Sequence, residues 1–250
     1  MSRAAFPWHS RPGLAGGIDK NGSRAEELLG LGFGSVEFGT VAADPAAPHP
    51  LAPLVRCLAA LPPRSSGACA IGIGIGLAPG APPSGLPAAW VAGLAGAWPV
   101  ADYVSFNLSA QANRPFLAPR YRALVAAALA AVAAEGERLP RRPRLALKFP
   151  LGADPDPLPW VAELAAAAGF DILTTVLPEG SGRYARLAAQ ARRLAGGPAL
   201  VAVGGIRHAD DIDAARAAGA AGVQVHRVFV ERGAACLPPL LAGEPYCSSR

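Results

Sequence analysis

An alternation of short β-type runs and longer helical segments constrains the fold of this chain most strongly. Eight short runs are separated by segments rich in alanine or leucine, most of which end at glycine, as helix C-termini commonly do. This alternation predicts a parallel sheet with crossover helices. The predicted strands are 12–18, 35–40, 68–75, 102–108, 144–149, 171–176, 199–203 and 222–225. The predicted helices are 23–31, 88–97, 119–134, 158–168, 184–194 and 209–217.

Eight parallel strands favour a closed (β/α)8 TIM barrel, with an open doubly wound sheet as the alternative. The connection between the second and third strands is weakly marked, and we predict no clear helix within 56–67. Asp154 and Asp156 lie between prolines and are expected to cap the following helix. A chain of 250 residues suits one barrel domain spanning 1–250, with a core of about 6–233 and a C-terminal tail of 234–250.

Composition and charge exclude several classes of protein. Hydrophobic residues make up 52% of the chain and charged residues 16%, which provides for a core and argues against disorder. The net charge of +5 is scattered, so we expect no nucleic-acid partner. Prolines divide the uncharged stretch 65–101 into pieces of about a dozen residues, short of the roughly 20 that cross a bilayer. We therefore expect no membrane-spanning segment.

The cysteines are expected to be free thiols, because their spacing fits no metal site and no signal peptide precedes them. This favours a cytoplasmic location. The cysteines are Cys57, Cys69, Cys236 and Cys247.

Lysine usage marks two positions. Of 23 basic Lys and Arg residues, only Lys20 and Lys148 are lysines. A compact ammonium and a planar guanidinium are not interchangeable, so these two sites are predicted to require an ammonium. Both lysines fall at the C-terminal ends of predicted strands, where barrels of this kind place their chemistry. Chance retention is the alternative.

Glycine turns suggest an anion site at the same end of the barrel. Gly204-Gly205 follows a predicted strand and precedes a helix N-terminus near 208–211, whose N–H groups suit an anion. Arg227, just past the eighth strand, could pair a phosphate. Ser181-Gly182-Arg183 opens another helix. Together these predict a phosphate site, and a tight turn without a ligand is the alternative.

Seven motifs, in order, resemble those of the dihydroorotate dehydrogenase family. Gly-Leu-Ala-Gly-Gly-Ile-Asp-Lys-Asn-Gly at 13–22 resembles the opening motif of the class 2 enzymes, and the resemblance extends over about 6–233. The other motifs are Glu-Phe-Gly-Thr-Val at 37–41, Asn-Leu-Ser at 107–109, Leu-Lys at 147–148, Ser-Gly-Arg at 181–183, Val-Gly-Gly-Ile at 203–206 and Val-Gln-Val at 223–225.

The resemblance implies an FMN oxidoreductase that converts dihydroorotate to orotate in pyrimidine biosynthesis. It implies that Lys148 faces the flavin pyrimidine edge, and that Lys20 pairs a small carboxylate-bearing substrate. Asn107 would contact both substrate and cofactor. The resemblance also implies cofactor contacts from Ala15, Gly16, Thr40, Gly182, Gly204 and Gly205. We predict further cofactor contacts at the end of strand eight, from His226 and Arg227.

The sequence departs from the family in its substrate loops. Ala110 stands at the position of the family's catalytic Ser or Cys, and Ser109 is expected to face the other way on an extended chain. Thr175-Val176-Leu177 replaces Thr-Asn-Thr, and the segment 177–182 is shorter than usual. His226-Arg227 replaces a Tyr–Ser/Thr pair, and 61–70 lacks the family's asparagine-bearing loop. About a dozen residues precede the first motif, so the family's membrane-associating N-terminal helices are expected to be absent.

Three functions therefore remain open. The first is an FMN oxidoreductase with a degenerate substrate site. The second is a non-catalytic relative that serves as a flavin-binding or scaffold protein. The third is a phosphate-binding barrel isomerase or aldolase, in which Lys148 could form a Schiff base. The order of the motifs favours the first two.

Overall fold

Eight parallel strands close into a barrel in sequence order, with β1 pairing both β2 and β8. This computed structural model describes residues 11–65, 67–152 and 159–242. The predicted (β/α)8 barrel is confirmed, and the open-sheet alternative is wrong. The strands are β1 (Gly13–Leu14), β2 (Ser35–Val41), β3 (Ala70–Ile75), β4 (Tyr103–Asn107), β5 (Arg144–Pro150), β6 (Ile172–Val176), β7 (Ala199–Val203) and β8 (Gly222–Val225).

Helices surround the barrel and connect successive strands. They are α1 (Ala25–Gly30), α2 (Leu51–Ala59), α3 (Leu86–Ala97), α4 (Arg122–Arg138), α5 (Trp160–Ala167), α6 (Arg183–Arg193), α7 (Ala209–Ala217), α8 (Arg227–Arg232) and α9 (Leu237–Leu241). Short 3-10 turns lie at Pro83–Gly85, Arg114–Leu117, Pro119–Tyr121 and Gly233–Cys236.

The weakly marked connection between β2 and β3 contains a regular helix, α2, which ends within the stretch where no clear helix was predicted. Pro53 lies in its first turn, where backbone N–H groups have no intrahelical acceptor, so the proline removes no helical hydrogen bond. Leu51, Leu54 and Leu58 form its buried face. Two of these three leucines precede residue 56, so the stretch 56–67 alone does not contain the helical pattern.

The first strand is shorter than predicted, because the chain bends out of the sheet after Leu14. The Ala15 N–H still donates to Val225 O at 2.8 Å, and the Gly17 N–H donates to Gly39 O at 2.6 Å. Gly17 has φ +112°, a conformation that favours glycine. The bend lays residues 15–20 across the C-terminal end of β2, on the rim of the barrel.

The packing between barrel and helices is apolar, whereas the barrel interior contains small and polar residues. Trp90 of α3 packs on Phe106 of β4, with ring centroids 4.9 Å apart. Inside the barrel, the Tyr103 ring crosses over β3, where a Cβ on Gly72 would lie 2.0 Å from it. Glycine at 72 is therefore required for Tyr103 to fill the interior.

Other predictions concern thiols, metals and membranes. Cys57, Cys69 and Cys236 are free thiols. Cys247, Asp154 and Asp156 lie outside the described residues. Within the described ranges, no three His, Cys, Asp or Glu side chains are grouped to hold a metal. No described helix combines the length and apolarity needed to cross a membrane.

Candidate functional site at the barrel mouth

A buried ion pair spans the barrel interior near the C-terminal ends of the strands. Lys148 of β5 is in register with Asn107 of β4. Its Nζ donates to Oε1 of Glu37 on β2 at 3.0 Å. The two side chains are only 7% and 1% exposed. Charges this deeply buried require close pairing, so each residue accounts for the presence of the other.

Gln224 and Tyr103 complete the network around Glu37. Gln224 Nε2 donates to Glu37 Oε2 at 3.2 Å and lies 3.2 Å from the Tyr103 hydroxyl, which also hydrogen-bonds with Ser35. Burial, followed by the Glu37 charge, raises the pKa of Tyr103 well above its usual value, so it stays neutral. Both carboxylate oxygens of Glu37 are therefore held by side chains from other strands.

Sequence reasoning identified Lys148 but did not assign site roles to Glu37, Gln224 or Tyr103. A signal was present, because Glu37 is a charged residue inside a strand whose neighbours are buried. A carboxylate in such a position needs a partner from another element. Lys148 is the lysine in an equivalent setting on β5.

The side chain of Asn107 organises the rim after β4. Its Nδ2 donates to Thr40 Oγ1 at 2.7 Å, and its Oδ1 accepts the Ser109 hydroxyl at 2.7 Å. The same Oδ1 accepts the N–H groups of Ser109 and Ala110 at 2.9 and 3.2 Å. The prediction that Ser109 faces away is wrong, because the chain turns at Asn107 rather than continuing as a strand. Ala110 lies in this turn and offers no group to accept a proton.

The glycines of the first loop let its backbone lie directly over the ion pair. A Cβ on Gly16 would lie 2.8 Å from Glu37 Oε1, and one on Gly17 would lie 3.0 Å from His226 Nε2. Partial burial, then the charges of Lys148 and Arg227, lower the pKa of His226. The imidazole beside the rim is therefore neutral at pH 7.

Lys20 lies half-buried at the end of the first loop, and its ammonium makes no ion pair with any described residue. The preceding Asp19 is turned into the loop, where it accepts the N–H groups of Asn21, Gly22 and Arg24 at 2.8–3.0 Å. Asp19 therefore stabilises the loop from within, through its backbone N–H groups.

Arg183 lies against the Gly204-Gly205 turn after β7. Both glycines have positive φ, and a Cβ on Gly205 would lie 2.0 Å from Arg183 Nη1. Arg183 Nη2 donates to Gly205 O at 3.2 Å and to Asp211 Oδ1 at 2.8 Å. The glycine turn therefore lies next to Arg183, the last residue of the Ser181-Gly182-Arg183 motif that the sequence analysis grouped with this turn.

The N-terminus of α7 is capped by the chain itself. Asp211 Oδ2 accepts the N–H groups of Arg207 and His208 at 2.9 and 3.2 Å. The His208 N–H was among the donors predicted to face an anion, and that prediction is wrong for this group, because a carboxylate already accepts its hydrogen bond. Arg227, predicted to pair a phosphate, is exposed and pairs with Glu179 at 3.1 Å.

Some of the predicted site residues contact one another or share a partner, and others do not. Gly16 and Lys148 both contact Glu37, and Asn107 contacts Thr40. Ala15 is buried beside them and hydrogen-bonds to β8. The space next to Gly182 is open, with no described atom within 4 Å of a Cβ built there. Leu177 O would lie 3.0 Å from a Cβ on Gly204, so the short segment 177–182 packs against the glycine turn.

This arrangement defines a class of protein, namely a closed (β/α)8 barrel with a buried lysine–glutamate pair at its mouth and a glycine turn after the seventh strand. Sequence relatives fall in one family. The chain is 28% identical to "Dihydroorotate dehydrogenase (quinone)" of Bordetella pertussis, over 93% of this chain and 79% of that protein. It is 33% identical to the protein of that name from Rhodospirillum rubrum, over 64% of this chain and 48% of the relative.

Solved structures with the same fold superimpose on this chain. DHODH from Eimeria tenella in complex with ferulenol superimposes with a TM-score of 0.79 at 20% identity, covering 94% of this chain and 80% of that one. The ligand-free DHODH from the same organism gives 0.77 at 19% identity, with coverages of 92% and 82%. No protein-family model matches the chain. The predicted resemblance to the dihydroorotate dehydrogenase family is confirmed by these relatives.

Proposed function

We propose that the chain is a flavin-dependent oxidoreductase of the dihydroorotate dehydrogenase type, with FMN as its cofactor and a degenerate substrate site. The observation on which this rests is the buried Lys148–Glu37 pair beside Asn107, at the end of the barrel where such folds bind ligands. We also propose that the chain works as a single FMN-binding domain.

The residues at the mouth fit the parts of an FMN molecule. Lys148 has one described acceptor, Glu37, which leaves N–H donors for the pyrimidine edge of the ring. Glycines at 16, 204 and 205 let the loop backbone pack closely at the mouth, because a Cβ there would meet Glu37 Oε1, Leu177 O or Arg183 Nη1. When bound, FMN supplies the two-electron acceptor for a substrate C–H bond.

Each residue has a proposed role. Lys148 orients the ring and stabilises negative charge on it. Ala15, Gly16, Thr40 and Asn107 line the ring. Gly182, Gly204, Gly205, His226 and Arg227 surround the phosphate. Lys20 binds the carboxylate of a small substrate, together with Asn107, through a charge-assisted contact of about 1.5–3 kcal/mol.

The substrate site is proposed to be degenerate because the β4 turn lacks a base. Ala110 has no titratable group, and the nearby Ser109 hydroxyl donates to Asn107 Oδ1. A positioned base typically contributes about 10² to 10⁴ in rate, so oxidation of dihydroorotate is expected to be slow.

A titration with FMN tests the cofactor. The protein is expected to show flavin absorbance and to release FMN on denaturation, whereas no binding at about tens of micromolar would reject the proposal. Orotate should then perturb the spectrum of the bound flavin. Slow bleaching by dihydroorotate, accelerated by Ala110→Ser by less than about a hundredfold, would support a degenerate site.

A non-catalytic flavin-binding relative is the second candidate, favoured by the same absence of a base at Ala110. It predicts flavin binding with no dihydroorotate-dependent bleaching, even in Ala110→Ser. A Schiff-base aldolase is disfavoured, because Lys148 Nζ is held by Glu37 at 3.0 Å in a buried pair, and a Schiff base on that nitrogen would break the pair. Borohydride trapping of a carbonyl compound on Lys148 would support the aldolase instead.

A further inference from the structure

We propose that Glu37 is a positioning residue that limits the positive charge which Lys148 presents to a bound flavin, and thereby sets the reduction potential of that flavin. This inference rests on the proposed function, since it concerns the cofactor which that function requires.

The geometry fixes Glu37 behind Lys148. Its Oε1 accepts Lys148 Nζ at 3.0 Å, and its Oε2 accepts Gln224 Nε2 at 3.2 Å. The backbone at Gly16 leaves no room beside Oε1, because a Cβ there would lie 2.8 Å away. The carboxylate cannot turn away from the lysine without losing both partners, so its charge stays at one position.

The two charges of the pair largely cancel at a distance. Lys148 and Glu37 are 7% and 1% exposed, so solvent screens their fields less than it would at the surface. The other polar groups that contact the pair, Gln224 and the Tyr103 hydroxyl beyond it, are neutral. His226 at the rim has a lowered pKa and is also neutral at pH 7. Among the described groups that contact the pair, Lys148 and Glu37 alone are charged, so the charge that the pair presents depends on how strongly Glu37 offsets Lys148.

This offset affects the two redox states of a flavin differently. The oxidised ring is neutral, whereas reduction places negative charge on the pyrimidine edge, which Lys148 is proposed to face. A full positive charge there would strongly favour the reduced state. The carboxylate reduces that preference, so its removal should raise the reduction potential of the bound flavin.

Glu37→Gln tests the effect of the charge alone. It removes the negative charge, but glutamine has the same length and its amide oxygen can still accept a hydrogen bond from Lys148. The new amide nitrogen would then face Gln224. Gln224 Oε1 is buried and has no partner among the described residues, so a flip of the Gln224 amide restores the hydrogen bond. Glu37→Asp retains the charge and serves as the conservative variant.

The experiment measures FMN affinity and the midpoint potential of the bound flavin at pH 7 with redox-indicator dyes. Glu37→Gln is expected to bind oxidised FMN within about threefold of the parent. Its preference for reduced over oxidised flavin should increase at least about tenfold, which corresponds to a shift of about 30 mV for a two-electron couple. Glu37→Asp should raise the potential by less than Glu37→Gln does, because it keeps the charge but moves it farther from Lys148, and Lys148→Met should shift the potential in the opposite direction. Glu163→Gln, at an exposed pair with Arg193, is the control.

An unchanged or lowered potential in Glu37→Gln, with FMN still bound, would overturn the inference while leaving the proposed function intact. A lowered potential would mean that Glu37 mainly holds Lys148 in place. If the parent binds no FMN, the proposed function fails and the inference fails with it. Should Glu37→Gln not fold, a shift of the Glu37→Asp potential beyond that of the control would support the inference, because a shorter acid moves its charge away from the lysine. No shift in that variant would count against it.

Discussion

The guanidinium of Arg183 lies directly against Gly205, at the position where a side chain on that glycine would otherwise stand. It is held there by Asp211 at 2.8 Å and stacks on the Tyr184 ring, with its Cζ 4.7 Å from the ring centroid. A cation is thus fixed beside the glycine turn that is proposed to bind a phosphate.

This contact predicts that Arg183 strengthens binding of the FMN phosphate but not of the ring. Arg183→Ala should weaken FMN binding about tenfold, because one charge-assisted contact is lost, and should leave riboflavin affinity unchanged. Fluorescence titration with both flavins measures the difference. Arg192→Ala, on the exposed face of the same helix, is the matched control. Equal losses for FMN and riboflavin would instead indicate a general disturbance of the mouth.

Lys20 is predicted to act on the substrate alone. Lys20→Met should leave FMN affinity unchanged and weaken orotate binding by about tenfold to a hundredfold, as expected for loss of a charge-assisted contact. Lys20→Arg should also weaken it, because a planar guanidinium places its donors differently. The spectral shift of bound flavin during an orotate titration gives both affinities. If Lys20→Met binds orotate as the parent does, the carboxylate lies elsewhere.

The buried pair makes a prediction about stability. Lys148→Met should destabilise the protein by about 3–5 kcal/mol at pH 7, because Glu37 is left buried without its counter-charge. The double variant Lys148→Met with Glu37→Gln should recover much of this loss, since no uncompensated charge remains. Urea unfolding of apoprotein measures both. Additive losses in the double variant would show that the two side chains are not energetically coupled.

Replacement of two glycines by alanine should change the stability of the protein in opposite directions. Gly72→Ala should destabilise the barrel by more than about 3 kcal/mol, because the new Cβ would overlap the Tyr103 ring, which a closed barrel cannot displace. Gly136 lies in α4, and a Cβ there would meet its nearest described neighbour, Leu145, at 3.6 Å. Gly136→Ala should therefore stabilise the protein by up to about 1 kcal/mol. Thermal unfolding of the two variants would test these opposite changes in stability.

Sequence patterns predicted the barrel well because its strands and helices alternate without interruption. The motifs also placed Lys148, Asn107 and Thr40 near one another. The partners of these residues were harder to predict. Glu37 and Gln224 are far apart in sequence, and only the closure of the barrel brings them together. The turn at Asn107 and the position of Arg183 depend on side-chain hydrogen bonds that no spacing rule reveals.

The interlocking of the barrel interior has a consequence for how such a chain can evolve. Glu37, Lys148, Gln224 and Tyr103 each depend on a partner from a different strand, so a substitution that removes one polar group leaves a buried partner unsatisfied. Ala110 sits in a rim turn that is held by the side chain of Asn107. Because this contact uses the backbone N–H of residue 110, substitutions there are expected to leave the turn intact. The substrate loops of this barrel are free to drift toward new ligands while the charged interior is retained.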